Sequence, residues 1–328
     1  MKLIVNIPAY NEEKDVGKTI ARIRESFSLD FYVSGQGKII QEKLIQVVDD
    51  GSSDSTARVS KEAGADIVIS YKPNRRLAYS FKQAIENSLA GGADLMINID
   101  ADGQFNPNDI PKLLIPILDG KSDMVIANRF GECEAKNIPW VRKTINKFAS
   151  GTIGFFLNHK TNDLTCGFRA LNRETMLRLN LTNTFFTYTQ ETIIDAIGKN
   201  LKLQWVSIDV TYFDNRQAKI TKSILKYISD SFKIILKAIR DVRPLKFFGW
   251  PGMLFFSLGV IGFGFFFFNY FQDFKIRPYL NIIIFSAIFM MLGIQLIIFS
   301  LIADMIKSTR QLTEEFMYQW KKSKYEKK

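Results

Sequence analysis

Asp100-Ala101-Asp102-Gly103-Gln104 follows the apolar run Leu95 to Ile99. Two carboxylates one residue apart at the end of an extended segment point the same way. They can meet one hard cation, and magnesium or manganese takes such oxygen ligands and bridges phosphate oxygens. Asp100, Asp102 and Gln104 are therefore the expected metal and diphosphate residues. A cation placed there would stabilise the charge that develops on a diphosphate leaving group. Two further polar clusters close apolar runs: Pro8 to Glu12 after Leu3 to Ile7, and Asp49 to Asp54 after Leu44 to Val48. Tyr10 could stack on a base, and Asp50 could accept from a base imide or a ribose. Asp50 to Ser55 also has the composition of a turn with a helix cap, and the two readings are compatible.

The elements that must carry these residues alternate. Apolar runs at 3–7, 44–48, 67–70 and 95–99 read as strands. Residues 12–26, 55–63 and 78–89 read as helices, and a further strand is expected around Val125 to Ala127. The fold class is α/β with a mostly parallel sheet, and its ligands belong beyond the carboxyl ends of the strands. The three polar clusters fall there. Residues 27–43 read as an extended loop with no assigned role.

The chain has 328 residues and a net charge of +11. No Arg-rich tract interleaved with aromatics occurs, so nucleic acid is not an expected partner. Two cysteines, Cys133 and Cys166, without Cys-x-x-Cys spacing exclude a disulfide framework and fit a reducing cytosol. The single histidine, His159, excludes a His-rich metal site and reads as a loop residue. The N-terminal apolar run is too short for a signal peptide.

The remainder of the chain is different. From Lys222 to Arg240, apolar residues at spacings of one, three and four oppose a lysine-rich face, the pattern of an interfacial amphipathic helix. Residues 247–271 and 279–303 are two uncharged stretches of 25, each longer than the roughly 20 residues that cross a hydrocarbon core. A seven-residue link joins them. The flanks at 222–246 and 304–328 carry seven Lys or Arg each, against two in the link. The positive-inside rule puts both flanks, both termini and the N-terminal domain in the cytoplasm, with membrane lipids as partners. The expected organisation is a catalytic domain at 1–221, juxtamembrane helices at 222–246, a spanning pair at 247–303 and a tail at 304–328. Leu312, Phe316 and Trp320 give that tail one apolar stripe, which could serve a homo-oligomer or belong to a solvated helix.

Taken together, IPAYNEE, VVDDGSSDST, DADGQ, ANRF and DLTCGFRAL, in this order, resemble the GT-A-fold family 2 glycosyltransferases. The closest resemblance is to the polyprenol-phosphate (dolichol-phosphate) branch with two C-terminal transmembrane helices. It covers residues 3–223. It implies that Pro8, Ala9, Tyr10, Glu12 and Asp50 bind the nucleotide-sugar, together with Asp100 and Gln104. It implies catalytic roles for Asp102, Arg129, Arg142 and Arg216, and an acceptor side formed by Asp163, Arg169 and Lys222. Two departures stand out: Arg76 and Ala78 replace glycines of an Asn-x-Gly-x-Gly stretch, and Lys219 replaces another glycine.

The expected reaction is sugar transfer from a nucleotide-sugar to a polyprenyl phosphate, with inversion. A phosphate monoester is already ionised near pH 7, since its second pKa is about 6. It needs arginines to position it more than it needs a base. A hydroxyl acceptor on another lipid or glycan is the alternative, and Glu191 could then serve as base. A processive synthase is not expected, because no Gln-x-x-Arg-Trp stretch occurs.

Overall fold

The computed structural model describes residues 1–28, 39–131, 140–181, 188–210, 236, 240 and 242–326. The juxtamembrane stretch 222–246 lies largely outside them, as do Cys133, Arg216, Lys219 and Lys222.

The N-terminal part alternates as its apolar periodicity requires. β1 (Lys2–Ala9), α1 (Val16–Ser26), β2 (Glu42–Asp49), α2 (Thr56–Glu62), β3 (Ile67–Ser70), α3 (Leu77–Ala90) and β4 (Leu95–Asn98) follow one another. Then come α4 (Ile110–Leu118), β5 (Met124–Asn128), α5 (Trp140–Leu157), β6 (Arg169–Asn172), α6 (Arg173–Arg178), α7 (Tyr188–Gly198) and β7 (Leu203–Ser207). The strands form one seven-stranded sheet in the order β3-β2-β1-β4-β6-β5-β7. β6 runs antiparallel to β4 and β5, and the other pairings are parallel.

β1, β4 and β5 are buried on both faces, so they read as apolar runs without alternation. α1 buries Val16, Ile20 and Ile23 at helical spacing. Within the core sits one polar row. Gln46 pairs with Asn6 across β2 and β1, Asn6 with Asn98 across β1 and β4, and Asn98 with Arg169 across β4 and β6. All four are 0% exposed.

Two long apolar helices end the chain, α8 (Trp250–Asp273) and α9 (Leu280–Lys324). Both are long and apolar enough to cross a membrane. They meet through small residues spaced by seven. A Cβ on Gly259 would lie 2.7 Å from both Met290 N and Ser286 O, and one on Gly293 would lie 2.5 Å from Phe256 N. Ser286 and Ser300 are buried in the same seam, while Met253, Ile261, Phe268 and Met291 are exposed on the outer surfaces. Close approach of this kind is how apolar helices pair without a hydrophobic drive between them.

α9 does not stop at Ala303, where the apolar stretch ends. It continues as helix to Lys324, with Arg310 and Glu314 paired one turn apart at 2.6 Å. Its 45 residues make a rod of about 68 Å. By compactness the chain divides into Met1–Ile234 with Phe316–Lys328, and Ile235–Glu315. The last turns of α9 thus group with the sheet. Tyr318 donates its hydroxyl to Glu174 at 3.0 Å, and Lys321 donates to Leu179 O at 2.8 Å and to Asn180 Oδ1 at 2.9 Å. The Arg178 guanidinium lies 4.1 Å from the centre of the Tyr318 ring.

Candidate active site

β1, β2 and β4 end side by side, and their following loops knit together. Asp50 N donates to Ala9 O at 2.9 Å. Asn11 N donates to Ser52 Oγ and Glu12 N to Thr56 Oγ1, each at 2.9 Å. Ser53 N returns a bond to Asn11 Oδ1 at 2.9 Å. Asp54 accepts from Thr56 N, the helix-cap chemistry expected of this turn, but from one residue outside the cap position. Tyr10 stays 49% exposed on this edge, as a stacking residue would.

Asp50 is buried, and its carboxylate holds a neighbouring loop. Arg75 N donates to Asp50 Oδ1 at 2.8 Å. Burial raises the Asp50 pKa, against the lowering effect of that backbone N–H. The loop also presses on Gly51, whose φ is +73°, and a Cβ there would stand 2.8 Å from Tyr71 O. Arg76, one of the two glycine replacements, adopts φ 72° and ψ 161°, a conformation that suits glycine and strains arginine. The loop geometry is kept at that cost.

The acidic loop after β4 is held from two sides. Thr19 of α1 donates to Ala101 O at 2.8 Å, and Arg22 donates to Gly103 O at 3.3 Å. Asp102 Oδ1 accepts from Gln104 N at 3.1 Å. Across from it, Phe105 packs on Phe168 with ring centres 5.2 Å apart. Gly167 lies directly against Asp100. A Cβ at that glycine would fall 2.8 and 2.9 Å from the two Asp100 carboxylate oxygens. Burial, and then the Asp102 charge, raise the Asp100 pKa, while Arg129 and Arg169 oppose the rise.

Two half-buried carboxylates one residue apart fit a divalent cation: the donors are hard oxygens, and each carboxylate is crowded by the other's charge. Among the described residues no group of three or more His, Cys, Asp or Glu converges. The chain thus offers two carboxylates, and phosphate oxygens or water would have to complete the shell.

Arg129 and Asp163 meet as a pair. Arg129 Nε donates to Asp163 Oδ2 at 2.7 Å and Nη2 to Oδ1 at 3.0 Å, with a further bond from Nη2 to Thr165 Oγ1 at 2.6 Å. Asp163 is fully buried and orients Arg129. Arg169, also expected on the acceptor side, is enclosed as well. It is fully buried and donates to Thr189 O at 3.3 Å, to Thr192 Oγ1 and to Cys166 O. It thereby ties the 163–168 segment, through Cys166 O, to α7, through Thr189 and Thr192. Arg142 lies in the first turns of α5, with its side chain outside the described set, as Arg216 and Lys222 are entirely. His159 follows α5 as a loop residue, its Nδ1 3.1 Å from Lys160 O.

Sequence reading put Gly167 in the acceptor-side loop without its contact to Asp100, and it missed the row Gln46, Asn6, Asn98. The row had a signal: a single amide interrupts each otherwise apolar strand. Gly167 had none beyond its place in a loop, because its neighbour Asp100 is remote in sequence.

The geometry agrees with the comparisons. Residues 4–178 match the model of the glycosyl transferase family 2. A UDP-N-acetylglucosamine–dolichyl-phosphate N-acetylglucosaminyltransferase of Methanococcus voltae is 25% identical over 240 residues, 67% of this chain and 90% of that one. A dolichol-phosphate mannosyltransferase of Pyrococcus furiosus is 27% identical over 251 residues, 75% of this chain and 67% of that one. Glucosyl-3-phosphoglycerate synthase from Mycobacterium tuberculosis, solved with Mn2+, UDP and glucosyl-3-phosphoglycerate, shares the fold: TM-score 0.51, 21% identity, 73% of this chain and 78% of that one. With a mostly parallel sheet, strand-end carboxylates and two long apolar helices later in the sequence, this chain belongs to glycosyl transferase family 2 and is a glycosyltransferase similar to those that act on polyprenol and dolichol phosphates.

Proposed function

We propose that the protein moves a sugar from a nucleotide-sugar to a polyprenyl phosphate at the cytoplasmic face of a membrane. The observation that carries this is the carboxylate pair Asp100 and Asp102 at the end of β4, packed against Gly167 beside the nucleotide-side loops. The names of the relatives supply the acceptor class. The paired apolar helices support placement of the catalytic domain at head-group level, where a lipid phosphate lies.

In this reading Pro8, Ala9, Tyr10, Glu12 and Asp50 form the nucleotide side. Asp50 works through the loop it holds, and Tyr10 offers an exposed ring to the base. Asp100 and Asp102, with Gln104 near them, would hold Mg2+ or Mn2+, which supplies Lewis-acid stabilisation of the diphosphate. Arg129 is fixed by Asp163 with its planar fork already oriented, so little entropy is lost when an anion approaches. Arg142, Arg216 and Lys222 would add positive charge for the acceptor phosphate. That phosphate arrives ionised and attacks without a base, and single displacement inverts the anomeric centre. The domain plan is a catalytic unit, a juxtamembrane segment and a two-helix anchor.

The test is transfer from a panel of labelled nucleotide-sugars to polyprenyl phosphate in detergent, with and without EDTA. One donor should give an organic-extractable product that EDTA abolishes. Asp102→Ala should remove that product while circular dichroism stays unchanged, since a ligand is lost and no core group is. Transfer to a hydroxyl acceptor in place of the lipid phosphate would overturn the acceptor assignment.

A further inference from the structure

The polar row inside the sheet has a direction and an end point. Asn87 Nδ2, on α3, donates to Gln46 Oε1 at 2.7 Å. Gln46 Nε2 donates to Asn6 Oδ1 at 3.1 Å, and Asn6 Nδ2 to Asn98 Oδ1 at 2.7 Å. Asn98 Nδ2 then donates to Gly167 O at 3.1 Å. Four amides thus pass donor to acceptor across three strands, and the last donor meets the backbone of the residue that lies against Asp100.

Each amide fixes the orientation of the next. Asn98 must turn Nδ2 towards Gly167 because Asn6 occupies its oxygen, and Asn6 is turned in the same way by Gln46. Aligned bonds of this kind polarise one another in a dry interior. Burying such a chain is unfavourable relative to an apolar core unless every member is satisfied. If the row served cohesion alone, apolar side chains would do as well at these strand positions. It ends instead on a backbone segment that lies against the Asp100 carboxylate.

We propose that Asn98 is a positioning residue for the cation-binding carboxylates, acting by holding Gly167 against Asp100. This rests on the reading of Asp100 as a ligand of a divalent cation. Gly167 lacks a side chain, so its backbone forms a wall for the carboxylate, and the Asn98 amide fixes that wall. Without it the 163–168 segment can shift and Asp100 loses its backing.

The test is Mn2+ binding to the full chain in detergent, read by electron paramagnetic resonance, with thermal unfolding measured in parallel. Asn98→Leu should weaken Mn2+ binding roughly 10-fold or more, as loss of outer-sphere support does at other metal sites. Asn87→Leu cuts the far end of the same chain and should lower stability while leaving Mn2+ affinity unchanged, because Gln46 Nε2 also donates to Ala84 O at 3.3 Å and keeps its orientation. Asn6→Leu frees the Asn98 amide to turn and should give a smaller loss of the same sign; it carries the test should Asn98→Leu not fold. Combined with Gly167→Ala, the Asn98→Leu loss should be less than additive, because both act on one contact. Variants that lose stability but bind Mn2+ as the wild type does would overturn the inference while leaving the site intact. A wild-type protein that binds no Mn2+ would overturn the site reading and this inference with it.

Discussion

Gly167→Ala tests the carboxylate site at its tightest contact. The new Cβ would stand 2.8 and 2.9 Å from the Asp100 carboxylate oxygens and 3.2 Å from Cγ. Ordinary contact begins at 3.4 Å, so the carboxylate or the loop must retreat by about half an ångström. The loop has little free room, because Cys166 and Phe168 on either side of Gly167 are fully buried, so the half-buried Asp100 carboxylate is the group that gives way. Half an ångström is about the tolerance of a metal ligand. Mn2+ affinity should therefore fall by about 10- to 100-fold, or roughly 1.4 to 2.8 kcal/mol. Overpacking should cost a further ~1–3 kcal/mol of folding stability. Gly151→Ala is the control, since nothing lies within 4 Å of its Cβ. The assay is Mn2+ titration by electron paramagnetic resonance with thermal unfolding alongside. A Gly167→Ala protein that binds Mn2+ as tightly as the wild type would refute the wall that Gly167 forms against Asp100.

Further outcomes are expected elsewhere. Arg76→Gly should raise stability by about 1 kcal/mol by releasing the strain at φ 72°, read as an increase in the thermal midpoint. Gly293→Leu should part α8 and α9, because even its Cβ would lie 2.5 Å from Phe256 N; the paired helices should then become susceptible to protease in detergent. Burial, and then nearby Lys199, lower the Lys321 pKa to about 8. Its charged form is disfavoured in the docked state, so docking of the last turns of α9 is weakest below about pH 8 and strengthens as pH rises from there towards the ordinary lysine value of about 10.4. The denaturation midpoint followed by tryptophan fluorescence should rise between about pH 7 and pH 9.5, and Lys321→Met should flatten that dependence.

The parts legible in the sequence were those where one physical rule dominates. β1, β2 and β4 announce themselves as apolar runs closed by turn residues, and the strand-end clusters followed from the topology of parallel sheets. Arg129 lies near enough to Asp100 for its charge to oppose the rise in that group's pKa, and it is paired with Asp163. The resemblance gave Asp163 and Arg169 an acceptor-side place, and no local pattern reveals that both are fully buried and hydrogen-bonded inside the protein, Asp163 to Arg129 and Arg169 to Thr189 O. The antiparallel β6 is only four residues long and opens with arginine, so its period carries no direction. The stripe Leu312, Phe316 and Trp320 suggests a helix in the tail, but not that it is one with the spanning helix: the apolar stretch ends at Ala303, while α9 runs on to Lys324 with the Arg310–Glu314 pair on it.

The row Gln46, Asn6, Asn98 also bears on how the sheet chooses its alignment while folding. β1 and β4 are apolar on both faces, so sliding one past the other would trade one set of buried aliphatic contacts for a similar one. Hydrophobicity alone discriminates weakly between such alignments. The amides do not slide. Only with Asn6 opposite both Gln46 and Asn98 does each find its partner, and a slip would strand buried amides at about 1–3 kcal/mol apiece. The alignment they select ends β1 and β2 level with each other and β4 opposite Asn6, so the nucleotide-side loops and the carboxylates emerge at the same edge of the sheet.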